Sequence, residues 1–140
     1  MKFYKAVLSV SEEGVIVNFI KFVSIHQTEH YYFCVRDDRY DYAKIIIDND
    51  RNKNPVTLLK NNKIGVVKVS KTNSRTIKKS KDEAIDSLVY RTEKRVRYVS
   101  IALGMCKLFL KNKDLIMEGR YGEMLVPNTL DFVNENYIFD

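Results

Sequence analysis

Ser80–Lys111 reads SKDEAIDSLVYRTEKRVRYVSIALGMCKLFLK, and the fold turns on whether this stretch is one long helix. Its start is marked twice. Ser80 and Glu83 stand three apart, the spacing of a capping box, in which the Ser80 hydroxyl accepts from the Glu83 amide and the Glu83 carboxylate reaches back to the Ser80 amide. Asp82 and Glu83 add negative charge at the positive end of the helix dipole. From there Ile85, Leu88/Val89, Thr92, Val96, Val99, Leu103, Cys106 and Leu110 follow three-four spacing. That defines an apolar seam on a helix over roughly residues 81–111. The first half is amphipathic, with Lys94 and Arg97 opposite the seam and Arg91 and Arg95 on a flank. The second half, Val99 to Leu110, is apolar nearly all round, since Ile101, Met105 and Leu108 point away from the seam. It is expected to be buried on two sides, under the sheet and under a C-terminal segment or a second subunit. Gly104, which costs about 1 kcal/mol relative to Ala in a helix, is consistent with close packing there.

The segment before this helix alternates like a β-meander. Lys2 to Val10, Val15 to Ile25 and His30 to Arg36 read as strands, as does the β-branched run Tyr42 to Ile47. Ser11-Glu12-Glu13-Gly14 is the first turn, with Gly14 free to take a positive φ. His26-Gln27-Thr28-Glu29 reads as a polar turn. Asp48 to Pro55 is a loop by composition; Val56 to Leu59 is a short apolar piece, and Ile64 to Val69 a further strand. Short links between sequential strands favour antiparallel pairing. The expected fold is α+β: an antiparallel sheet of five or more strands packed on the long helix. A small C-terminal element is drawn from Glu123–Val126 and Leu130–Phe139. At 140 residues the chain is expected to be one domain.

All of the net charge of +6 comes from one stretch. Residues 51–81 carry ten cations and no Asp or Glu: Arg51, Lys53, Lys60, Lys63, Lys68, Lys71, Arg75, Lys78, Lys79 and Lys81. Residues 1–50 hold six basic and eight acidic side chains, and residues 82–140 eight and ten. A block so one-sided repels itself unless it is solvated or faces an anion. Lys71 to Lys79 lacks apolar periodicity and is expected to be an exposed, mobile connection over residues 71–80. The expected binding surface is Lys60, Lys63, Lys68, Lys71, Arg75, Lys78, Lys79 and Lys81, joined by Arg91, Lys94, Arg95 and Arg97 from the helix. Its expected partner is nucleic acid or a nucleic-acid-handling protein.

No catalytic signature and no cofactor motif is present. His26-Gln27-Thr28 supplies half of a two-histidine phosphoesterase motif, and His30-Tyr31-Tyr32 does not supply the other half. His26, His30, Cys34 and Cys106 fit no zinc spacing; on one strand, positions four apart lie roughly 13 Å from each other. Asp48-Asn49-Asp50-Arg51-Asn52 begins like a calcium loop but has Lys53 where Gly is needed and Leu59 where a bidentate Glu is needed. Asp37, Asp38, Asp41 and Asp48, with Lys68 assisting, define the alternative of a metal-dependent nuclease. Tyr and Arg interleave from His30 to Lys44, the pattern of base stacking or simply of strand residues facing a core. A third alternative is capture of an anionic nucleotide-type small molecule.

The two cysteines read as buried hydrophobes of a reducing compartment. No stretch is long and apolar enough for a membrane span, and the N-terminus resembles a first strand more than a signal peptide. A cytoplasmic location in a cell or infected host is therefore expected. The frequency of Lys and Asn and the absence of Trp suit an AT-rich genome. By association this suggests a phage or mobile-element accessory protein, an inhibitor of a host defence nuclease among them. A homodimer through Val99 to Leu110 is the expected oligomer.

Overall fold

The structure is a computed structural model, and it describes residues 1–114. The described chain divides after Tyr90, with Met1–Tyr90 forming the first compact unit and residues 91–114 belonging to the second.

In the first unit, β1 (Lys2–Ser11) and β2 (Gly14–Gln27) form a long antiparallel hairpin, followed by β3 (Tyr31–Arg36) and β4 (Val67–Ser70). The four strands lie in chain order, every pair antiparallel. Ser11 pairs with Gly14 at the hairpin end, where Gly14 sits at φ +137, a region closed to a side chain with a Cβ. A bulge between Ser24 and His26 shifts the β2–β3 register and bends β2, as an extra residue in one strand must. The sheet curls accordingly, and the ring of Phe3 on β1 lies 5.1 Å from that of Tyr32 on β3. The concave face holds one core of Phe3, Phe22, Cys34, Val69 and Ile77. On the opposite face Val35 packs with Ala43, Leu59 and Ile64.

The sheet has four strands among the described residues, against an expectation of five or more. Tyr42–Ile47 is the expected strand that fails: it lies in α1 (Tyr40–Asn49). Its three consecutive isoleucines favour a strand, yet Tyr40, Ala43, Ile46 and Ile47 also share one helical face, and that face packs against the Val35 core. Tyr42 and Ile45 are left exposed on the other side. Contact with the sheet outweighs the strand propensity of isoleucine. The apolar piece at 56–59 is a second helix, α2 (Pro55–Asn61). Asn54 caps it, its Oδ1 accepting from the amides of Val56 at 2.9 Å and Thr57 at 3.3 Å, and Pro55 takes the first turn, where no amide donor is missed. The strand candidate at 123–126 and the C-terminal piece at 130–139 lie outside the described residues.

The long helix is present as α3 (Lys81–Lys111). Ser80 caps it, its Oγ accepting from the Glu83 amide at 3.2 Å. The face it buries in the first unit meets the expected seam at Leu88 and is otherwise shifted by one position. Ala84, Ser87 and Leu88 are buried, and Ala84 and Leu88 pack with Ala6 between Tyr4 and Phe19. Ile85 and Val89 remain exposed. Two alanines facing each other let the helix backbone approach the sheet closely, and a hydrophobicity pattern weighted toward large residues does not reveal that. In the second unit Ile101 is buried, while Val99, Leu103, Phe109 and Leu110 are each more than half exposed. The expected double burial of this half is therefore not present among the described residues. No described helix is long and apolar enough to cross a membrane.

Candidate functional site

The basic block divides when its residues are placed one by one. Arg51 and Lys53, in the link between α1 and α2, reach Asp48 at 3.8 Å and Asp50 at 3.1 Å. Lys68 sits 3.7 Å over the ring of Tyr31, and Lys71 lies 4.9 Å over Tyr32 while donating to Gln27 Oε1 at 3.2 Å. Lys81 stands 5.3 Å from the ring of Phe19 and 5.9 Å from that of Tyr4. Each of these cations already has a local partner. Lys60, Lys63, Arg75 and Lys79 are exposed and make no ion pair or ring contact among the described residues.

The connection over residues 71–80 departs from the exposed segment its composition suggests. Ile77 is buried in the concave core. Tyr4 and Lys78 exchange both backbone hydrogen bonds, each at 2.8 Å, so the segment pairs with the outer edge of β1. Ser74 Oγ donates to the Ile77 carbonyl, Lys78 Nζ to the Ser74 carbonyl, and Ser87 Oγ to the Arg75 carbonyl. The strap is anchored by one apolar side chain and by backbone pairing, neither of which needs helical or strand periodicity. A hollow of about 150 Å³ beside it is lined by Lys71, Lys78 and Lys79, but also by Glu83.

A larger groove, of about 340 Å³, lies where β3 leads into α1 and α2 leads into β4. Arg36, Arg39, Tyr42, Asn62, Lys63, Ile64 and Gly65 line it. Arg36 ends β3 and contacts Asp38 at 3.4 Å. Arg39 precedes α1, and Tyr42 stands three residues on, in its first turn. The other wall is a helix stop. The Lys63 amide donates to Lys60 O at 3.0 Å and the Ile64 amide to Leu59 O at 2.9 Å, the paired bonds of a Schellman motif. Ile64 and Leu59 share the Val35 core, the apolar contact that accompanies this motif. Its left-handed position is Lys63, at φ 60, where glycine is usual.

Of the groove's cations, the charge block identified Lys63 alone. Arg36 and Arg39 lie outside the block, and their proximity to Lys63 depends on α1 being helical. Arg91, Lys94, Arg95 and Arg97 belong to the second unit, where Lys94, Arg95 and Arg97 are exposed. Asp38, Asp48 and Asp50 face cations, and among the described residues no three His, Cys, Asp or Glu side chains gather as metal ligands would. Cys34 is fully buried and its thiol is pushed up from 9.0 to about 11 by that burial, which makes it a poor nucleophile. Cys106 is exposed, against the expectation that both cysteines are buried; both are free. Comparison with protein-family models, curated proteins and solved structures finds no match for this chain.

Proposed function

We propose that this is a non-enzymatic binding protein that engages the phosphates of nucleic acid through Lys60, Lys63, Arg75 and Lys79. The observation that carries this reading is the division of the block. Most of its cations are matched locally by carboxylates, rings or carbonyls, and these four are not. Exposed cations that make no ion pair attract polyanions without reading sequence. Each phosphate contact that these cations make to a single strand adds about −0.7 to the slope of log K against log salt. A labelled oligonucleotide titrated at several salt concentrations measures it. Lys60→Glu with Arg75→Glu and Lys79→Glu should abolish binding and leave the thermal transition in place. Lys78 is left intact in that variant because its backbone and amine hold the strap. A partner that is a nucleic-acid-handling protein would appear instead as capture of that protein with no oligonucleotide affinity. Mg²⁺-dependent cleavage lost in Asp48→Ala would mark the nuclease alternative.

For the second unit we propose a second copy of the chain as the partner of α3. Thr92, Val99 and Cys106 recur every seven residues, as do Val96, Leu103 and Leu110, the a/d spacing of a heptad. This is the repeat of a helix packing against another helix. Val96, Val99, Leu103 and Leu110 on that seam are each more than half exposed.

A further inference from the structure

The groove between α1 and the end of α2 is better built for a ligand than the open surface. We propose that it binds the phosphate of a nucleotide, with the base against the exposed ring of Tyr42. This goes beyond the surface reading and shares only Lys63 with it.

Three cations line the groove, and one carboxylate, Asp38, reaches one of them. That leaves an excess of positive charge where a dianionic phosphate can take bidentate donation from Arg39 or Arg36. Tyr42 is 53% exposed although it sits on a helix packed against the sheet. An aromatic face beside a phosphate site is what stacks a base without choosing among bases. The volume is that of a small-molecule site. Over Gly65 there is open space, since a Cβ built there meets nothing within 4 Å, so a ligand can approach the backbone. The backbone that carries the cations is tied to the core: Arg36 follows the fully buried Val35, and Lys63 precedes the buried Ile64. Rigid neighbours hold a binding side chain in place.

Lys63 supplies the independent observation. A left-handed residue that closes a helix is easiest as glycine, and here it is a lysine at φ 60. Strain of this kind persists where something else requires the side chain, and the groove gives Lys63 that role. The same phosphate chemistry is offered by a free nucleotide and by the 5′-phosphorylated end of a strand.

The test uses the full chain, with adenosine 5′-monophosphate, adenosine, inorganic phosphate, and one oligonucleotide with and without a 5′-phosphate. The monophosphate should bind, and adenosine should not. Arg39→Ala should weaken the monophosphate roughly ten- to hundredfold, as loss of a charge-assisted hydrogen bond does. Tyr42→Ala should weaken the monophosphate and leave inorganic phosphate unchanged. Lys63→Gly should lower monophosphate affinity while raising the melting temperature, an opposition that loss of structure cannot produce. Competition by the oligonucleotide only when it carries a 5′-phosphate assigns the site to strand ends; no competition by either form assigns it to free nucleotides. No monophosphate binding by the wild-type chain, or binding unchanged in both Arg39→Ala and Lys63→Gly, overturns the proposal. The salt-dependent affinity of the unphosphorylated oligonucleotide, sensitive to Lys60, Arg75 and Lys79, reports separately on the surface reading.

Discussion

Cys34 illustrates how burial acts on a single side chain. It is enclosed by Phe3, Phe22, Val69 and Ile77, and desolvation raises its thiol to about 11. The folded state therefore holds this proton more tightly than the unfolded chain. The linked stability is fully present below pH 9 and is lost as the pH rises through about 11. Denaturant midpoints measured from pH 8 upward should fall across that window, and Cys34→Ala should flatten the decline. Thiol reagents should label Cys106 quickly and Cys34 only on unfolding, because only Cys106 is exposed. The apolar setting of Cys34 is legible in its neighbours Phe33 and Val35. The exposure of Cys106 is not, because it depends on what the helix meets. Asn54 is a residue whose role was legible and overlooked: Asn-Pro before an apolar run is a helix start. Asn54→Ala should cost about 1 kcal/mol, read from the denaturant midpoint.

At the scale of elements, the strap from Lys71 to Ser80 and the seam of α3 carry the sharpest expectations. Ile77 is the strap's one buried apolar side chain. Ile77→Ala should cost about 2–5 kcal/mol and speed amide exchange at Tyr4 and Lys78, whose paired hydrogen bonds depend on it. For α3, Leu103→Asp should convert a dimer to a monomer in sedimentation, since it buries four carboxylate oxygens in the seam of each pair. A monomeric wild-type chain at high concentration would end the dimer proposal. The helix was legible from its cap and its spacing over about seven turns. Which face docks on the sheet was not, because Ala84 and Ser87 are small and win by closeness of approach, not by area. The same competition turned Tyr42–Ile47 from a strand into α1.

For the molecule as a whole, charge is the organising quantity. A basic surface that binds phosphates should lose affinity steeply with salt, and the slope should flatten by about 0.7 for each of Lys60, Arg75 and Lys79 removed on a single strand. Removal of Arg51 or Lys53 should change the slope little, since Asp48 and Asp50 already balance them. This contrast, among residues of one block with the same sequence signature, separates a site from mere net charge.

By itself the sequence determined the class of the fold, the hairpin with its glycine turn, the start of the long helix and the existence of a cationic block. These follow from local rules: strand alternation, capping spacing and the count of charges. The tertiary structure decided which cations are spent on partners and which are free. It also brought Arg36 and Arg39 beside Lys63, anchored the strap through Ile77, and exposed the heptad seam. Those outcomes depend on contacts between residues far apart in the chain, where burial and close approach override local preference.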